Sequence, residues 1–193
     1  MNEEFLKYLQ GWAANVAISP STVRGMGPKG TMKAAIDFLA VLDLSQFTKC
    51  NSHETFNELL NKMTKELQKK LPRDLPKGRG QYWGTARKCL NIFLRDAFYN
   101  HYLREKFCLS KLEPWLEVPL DSYVAKGLRA EKDGEDLPKW ESVVRLEQAA
   151  NANYQKFAEE DIKSDSIWKS RVHLDVRYWR RKNSNLSHKE QIK

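Results

Sequence analysis

The stretch Ala86-Arg-Lys-Cys-Leu-Asn-Ile-Phe-Leu-Arg-Asp-Ala-Phe-Tyr-Asn100 decides the fold of this chain. Its apolar residues recur at the spacing of an α-helix, and no long segment on either side alternates between apolar and polar residues as a strand does. The pattern continues in both directions and predicts a helix over residues 84–106. The predicted inward stripe of this helix comprises Ala86, Leu90, Phe93, Leu94, Ala97, Phe98 and Tyr102.

The other long segments have the same helical period, so the sequence predicts an all-α protein. Residues 3–17 place Phe5, Tyr8, Leu9, Trp12 and Val16 on one stripe. Further helices are predicted near residues 31–42, 51–72, 123–128, 140–158 (as one helix or two) and 168–182. No internal repeat is visible, so residues 1–193 are predicted to form a single all-α unit whose tail, residues 183–193, frays.

The composition excludes several classes of protein. The chain has 193 residues, of which 41% are hydrophobic, and this fraction is enough for a packed core rather than wholesale disorder. The mean hydropathy is −0.68, and no apolar run approaches the length that a bilayer crossing needs. The three cysteines, Cys50, Cys89 and Cys108, are widely spaced, which argues against a disulfide framework or a structural zinc site. A cytoplasmic protein without a metal or another cofactor is therefore expected.

The net charge of +8 is unevenly distributed along the chain. It is +4 in residues 1–80, +3 in residues 81–130, −5 in residues 131–168 and +6 in residues 169–193. Two basic regions thus flank an acidic one, and a surface that binds a polyanion is one interpretation. A solvated basic surface with no nucleic-acid partner is the other, and the charge alone does not decide between them.

The first candidate site is Gly80-Gln-Tyr-Trp-Gly84-Thr85-Ala86-Arg87-Lys88, where two glycines and a threonine precede the long helix. Backbone N–H groups at the start of a helix bind phosphate, and glycine allows the backbone to approach that phosphate closely. An ordinary loop-to-helix junction with a glycine turn explains the same residues.

The second candidate site is Val118-Pro119-Leu120-Asp121-Ser122-Tyr123-Val124. Asp121 stands where the N-cap of a following helix is expected, and aspartate is a common capping residue. A carboxylate held at a helix N-terminus also stays ionised, and it then stabilises a developing cation or orients a water molecule. Capping alone and capping combined with catalysis both fit this segment.

In this order, the two segments resemble the helix-hairpin-helix DNA glycosylase superfamily. The resemblance implies a two-lobed helical bundle in which residues 76–128 form the helix-hairpin-helix-like core. It places the hairpin that grips one DNA strand at residues 75–80 or 82–86. Asp121 matches the aspartate that acts on the N-glycosidic bond, and Tyr123 stands where that family usually has histidine.

The chain also departs from the family pattern in other places. The usual hairpin sequence is not intact, and Ala86 occupies the position of the catalytic lysine of bifunctional members. A monofunctional enzyme is therefore expected, although a shift of one or two residues would bring Lys88 to that position. No cysteine follows Cys108, which excludes the four-cysteine iron–sulfur cluster of some relatives.

Residues 86–100, 117–124 and 171–180 are most similar to one offshoot of the superfamily, the α-glutamyl/putrescinyl-thymine pyrophosphorylase clade. This resemblance implies a modified pyrimidine, such as a hypermodified base of phage DNA, as the base that is excised. It also implies a setting in anti-phage defence. The expected partner is double-stranded DNA with a modified base, and a monomer is expected.

The predicted site follows from these resemblances and from position in the sequence. Asp121 is the predicted catalytic residue, and the flipped base needs an aromatic wall. A non-catalytic helical DNA-binding protein and a protein-binding α-domain are the alternative functions. The predicted DNA-binding residues are Lys77, Arg79, Gly80, Gly84, Thr85, Arg87 and Lys88, and the predicted base-pocket residues are Trp83, Trp115 and Tyr123.

Overall fold

The computed structural model describes residues 2–72 and 82–180. Within these ranges the regular structure is entirely helical, which confirms the all-α prediction. Five short 3₁₀ turns accompany nine α-helices in this described part. The α-helices are α1 (Glu3–Ala17), α2 (Thr31–Leu39), α3 (Ser45–Thr48), α4 (His53–Lys70), α5 (Trp83–Tyr99), α6 (His101–Lys106), α7 (Ser122–Ala130), α8 (Gln148–Asp161) and α9 (Leu174–Arg180).

The single helix predicted over residues 84–106 is two helices. Asn100 has an extended backbone at φ −75°, ψ 116°, and its side chain accepts a hydrogen bond of 3.1 Å from the backbone N–H of Leu103. The side-chain amide of Asn100 caps the start of α6. It also ends α5 at Tyr99, because a capping asparagine competes with the helix for backbone donors. The helices predicted from residues 140 and 168 also begin later, at Gln148 and Leu174, after 3₁₀ turns.

Helix α5 is the central element of the fold. It packs against α1 and α4 and shares a hydrophobic core with them, to which it contributes Leu90 and Phe93. A second core forms between α7, α8 and α9, and it includes Trp83 at the start of α5. Because α5 belongs to both cores, side chains on its different faces lie between different sets of helices.

Four of the five residues of the stripe predicted on α1 face solvent, and the fifth, Leu9, is partly buried against the core. Phe5, Tyr8, Trp12 and Val16 are 45%, 72%, 59% and 51% exposed. The buried residues of α1 are Leu6, Gln10, Ala13, Ala14 and Ala17. Small residues on that face let α1 approach α5 closely, and the larger apolar residues are left on the outside.

Gly84→Ala is expected to destabilise the protein by about 1–3 kcal/mol because a methyl group at this position overpacks the core. A Cβ at Gly84 would lie 2.6 Å from the Cβ of Leu146 and closer still to the carbonyl oxygen of Val143. Urea unfolding measures the loss. Gly11→Ala on α1 is the matched control, since nothing lies within 4 Å of its added Cβ, and it is expected to stabilise slightly. Equal effects of the two substitutions would contradict the packing argument.

Candidate functional site

Asp121 is the N-cap of α7, as the sequence predicts. Its backbone is extended, and its Oδ1 accepts hydrogen bonds of 2.8 Å and 3.0 Å from the backbone N–H groups of Tyr123 and Val124. The residue is only 9% exposed. Two backbone donors and the positive end of the helix dipole hold the carboxylate in one position. The site therefore holds a fixed negative charge with little water around it.

The second carboxylate oxygen of Asp121 faces two side chains from other elements. Lys88 Nζ on α5 lies 3.9 Å from Oδ2, and Trp179 Nε1 on α9 donates a hydrogen bond of 3.2 Å to it. Lys88 Nζ also lies 3.4 Å from the carbonyl oxygen of Thr22. Burial lowers the pKa of Lys88, and the opposite charge of Asp121 counteracts part of that effect. Three helices thus converge on one buried carboxylate–ammonium pair.

Two aromatic rings lie beside this pair at the surface. The rings of Tyr123 and Trp179 meet edge to face with centroids 5.8 Å apart, and they are 38% and 54% exposed. An exposed aromatic pair next to a buried carboxylate can contact a flat ligand that approaches the carboxylate. Of the three residues predicted to form a base pocket, Tyr123 is the one that lies at this site.

The other two predicted base-pocket residues pack against the two hydrophobic cores. Trp83 is 6% exposed and lies in the second core, with the Arg87 guanidinium 4.8 Å from its ring centroid. Trp115 packs against Phe56, with ring centroids 6.2 Å apart, at the edge of the first core. The structure therefore assigns both rings to packing, which is the common use of an aromatic residue at an apolar position.

Four of the predicted DNA-binding residues lie in the described part, on α5, and all four are buried. Gly84 packs against Val143 and Leu146, and Thr85 Oγ1 donates a hydrogen bond of 2.7 Å to the carbonyl oxygen of Met26. Arg87 and Lys88 are 3% and 8% exposed, and their cationic groups face other parts of the protein.

These four positions therefore do not present side chains to a duplex in this conformation. Phosphate binding by side chains requires donors at the surface, so a DNA contact at these residues stays a prediction. Lys77, Arg79 and Gly80 lie outside the described residues.

Sequence reasoning did not identify Trp179 as a neighbour of Asp121, since 58 residues separate them in the chain. It also did not identify Glu117, which is 6% exposed and accepts hydrogen bonds from Asn91 and Asn151. The sequence offers two signals for this buried cluster. They are a glutamate four residues before Asp121 and an asparagine within an apolar helix. Buried charges of this kind are retained where they are paired or functional.

Comparison of the chain with protein-family models, with curated proteins and with solved structures gave no match. The geometry of the site therefore carries the functional interpretation. No helix in residues 2–72 and 82–180 combines the length and apolarity needed to cross a bilayer. In the same ranges, no three His, Cys, Asp or Glu side chains are grouped so as to hold a metal ion.

Proposed function

We propose that this protein is a DNA N-glycosylase that excises a modified pyrimidine base. The observation that carries the proposal is the Asp121 carboxylate, which the α7 N-terminus holds 3.9 Å from the Lys88 ammonium and beside two exposed aromatic rings. A fixed, poorly hydrated anion is what the cleavage of an N-glycosidic bond requires, because positive charge develops on the sugar.

In the proposed reaction the base first leaves the duplex stack, at a cost of a few kcal/mol. The C1′–N bond of the nucleoside then breaks, its electron pair goes to the base, and Asp121 stabilises the oxocarbenium character of the sugar. A water molecule adds its oxygen to C1′ and loses a proton, while the released base gains one. The products are the free base and an abasic site, and the overall reaction is a hydrolysis.

The surroundings of Asp121 support this assignment of roles. Tyr123 and Trp179 form an aromatic edge against which the flipped base stacks. The net charge of +8 favours association with a polyanion. Two hydrophobic cores that share α5 are compatible with the two-lobed bundle of helix-hairpin-helix glycosylases, which we include in the proposal. We also propose that the protein is a cytoplasmic monomer and acts in defence against phages whose DNA contains hypermodified pyrimidines.

Base release from modified DNA tests the proposed function. Phage DNA that contains hypermodified pyrimidines is incubated with the protein, and abasic sites and free base are counted against unmodified DNA of the same sequence. We expect release from the modified DNA. The alternative, a non-catalytic DNA-binding protein, predicts salt-dependent binding with no base release on either DNA, and that outcome would overturn the proposal.

A lyase activity is the second candidate function, and the distance of 3.9 Å between Lys88 Nζ and Asp121 Oδ2 favours it. In this reaction Lys88 Nζ, whose pKa burial lowers, loses a proton and adds to C1′ as the base leaves with the electron pair of the C1′–N bond. The C1′–O4′ bond of the sugar then opens, O4′ takes a second proton from the nitrogen, and a Schiff base results. Hydrolysis by water, which we prefer, forms no such bond.

Borohydride trapping separates the two reactions. For hydrolysis by water we expect base release with no covalent protein–DNA complex after reduction. A trapped complex in the wild type that disappears in Lys88→Gln and persists in Lys126→Gln would instead assign the lyase reaction. Lys126 is a suitable control because it is exposed on α7, the helix that Asp121 caps.

A further inference from the structure

Large apolar side chains are exposed on α1 and on the segments beside it. Six of the eleven exposed large hydrophobic residues in the described part of the chain lie there. A contiguous apolar patch on a soluble protein marks an interaction site, whereas single exposed apolar residues are common. The six residues are Phe5, Tyr8, Trp12 and Val16 on α1, Val41 between α2 and α3, and Tyr102 on α6, and we call them the α1 surface.

The α1 surface is continuous. Its four residues on α1 follow one another at intervals of three or four, so their side chains are neighbours along one side of the helix. The rings of Phe5 and Tyr102 meet edge to face with centroids 5.7 Å apart, which joins α6 to this stripe. Val41 is joined at the other side, since it lines the same groove as Tyr8.

This groove lies between α1 and the segment that connects α2 to α3. Its volume is about 1040 Å³, at the upper end of the pockets that hold small molecules, which measure about 300–1,000 Å³. Gln10 is the buried polar member of the lining, and its Nε2 donates to the carbonyl oxygens of Leu39 and Leu42 at 3.0 Å and 2.7 Å. Because Gln10 is bonded within the protein, the floor of the groove accepts apolar side chains.

The rim of the groove is acidic although the chain as a whole is basic. Glu3, Glu4 and Asp43 are exposed and line the groove, and Lys7 is the basic member of the lining. Hydrogen bonds from Ser45 lower the pKa of the Asp43 carboxyl, which keeps it ionised. Three carboxylates against one ammonium group leave two negative charges in excess, so the rim attracts cations and repels phosphate.

We propose that the α1 surface and its groove bind a basic amphipathic helix of a partner protein. Such a helix presents apolar side chains on one side, which contact Tyr8 and Val41, and lysine or arginine side chains beside them, which lie against the acidic rim. DNA and anionic membranes are disfavoured because their phosphates have the same sign as the rim. A second copy of this chain is disfavoured because it would bring the same acidic residues to the interface.

The proposed docking site shares no residue with the Asp121 site. It is therefore independent of the proposed glycosylase reaction, and its test requires neither DNA nor base release.

Fluorescence anisotropy with two labelled synthetic peptides tests the proposal. One peptide contains leucine and lysine in the period of an amphipathic helix, and in the other glutamate replaces every lysine. We expect the lysine peptide to bind saturably and at least tenfold more tightly than the glutamate peptide. The net charge of +8 favours the opposite order, so this result requires the local acidic rim. Equal or tighter binding of the glutamate peptide, or no saturable binding of the lysine peptide, would overturn the proposal.

Val41→Lys places a positive charge in the groove, and the fold should tolerate it because Val41 is 81% exposed. We expect this variant to weaken binding of the lysine peptide at least tenfold. Ile167→Lys is the matched control, since Ile167 is 62% exposed and does not line the groove, and its binding should stay within twofold of the wild type. Binding unaltered by Val41→Lys would contradict the assignment.

Further variants test the rim and the other occupants. Glu3→Gln combined with Glu4→Gln should reduce the preference for the lysine peptide, and an unchanged preference would contradict the role of the rim. A wild-type dimer in analytical ultracentrifugation that Trp12→Lys dissociates would assign the surface to a second copy. Binding to phosphatidylserine vesicles that Trp12→Lys abolishes would assign it to a membrane. Either of these two results would overturn the proposal.

Discussion

Asp121→Asn is expected to lower the rate of base release by about three powers of ten, since it removes the fixed negative charge that stabilises the sugar cation. Asparagine is also a good N-cap, and its side-chain oxygen can accept from the same N–H groups of Tyr123 and Val124. The cap is therefore kept, but the buried Lys88 ammonium loses its anionic partner, and we expect the free energy of unfolding to fall by about 3 kcal/mol. Single-turnover release of base from modified DNA measures the rate, and urea unfolding measures the stability.

Asp165→Asn is the matched control for this substitution. Asp165 Oδ1 accepts hydrogen bonds of 2.7 Å and 3.1 Å from the N–H groups two and three residues ahead, which is the arrangement found at Asp121. Asp165→Asn should leave the rate of base release within about threefold of the wild-type rate, because capping of a turn by itself contributes nothing to bond cleavage. DNA binding by Asp121→Asn should be equal or stronger, since one negative charge is removed. Undiminished base release in Asp121→Asn would contradict the proposed mechanism.

Features encoded over a few neighbouring residues could be predicted from the sequence. Asp121 was predicted as the N-cap of a helix, and the structure confirms this. The prediction was possible because a proline, a capping residue and an apolar period together define a helix start. The start of α5 was predicted within one residue. The break at Asn100 was missed, because an asparagine inside a continuous apolar pattern gives a weaker signal than a proline or a glycine does.

Features that depend on the packing of distant segments could not be predicted. The apolar stripe of α1 gave the correct helix but the wrong buried face, because the alanines on the other side fit the closer contact with α5. The approach of Trp179 to Asp121 depends on where α9 lies. Likewise, the sequence indicates that Arg87 and Lys88 are basic but not that tertiary packing directs both of them inward.

Arg171→Met is expected to destabilise the protein by about 3–5 kcal/mol, a large fraction of the stability of a domain of this size. The Arg171 guanidinium is 3% exposed and donates to the carbonyl oxygens of Trp115 and Leu116 at 2.9 Å and 3.1 Å. Its Nη1 donates to Glu159 at 2.9 Å. Methionine fills similar space but leaves these buried carbonyls without donors and removes a positive charge near Glu117. Urea or thermal unfolding monitored by circular dichroism measures the loss.

Two comparisons separate geometry from charge in this result. Arg171→Lys keeps the charge but replaces a planar fork of donors with a single ammonium group, which cannot reach both carbonyls and Glu159 at once, so about half of the loss should remain. Arg145→Met removes an arginine that is 60% exposed and 3.9 Å from Glu141, and such exposed pairs contribute about 0.5 kcal/mol or less. A loss in Arg171→Met no larger than in Arg145→Met would contradict the interpretation that this guanidinium joins the segment before Asp121 to α8.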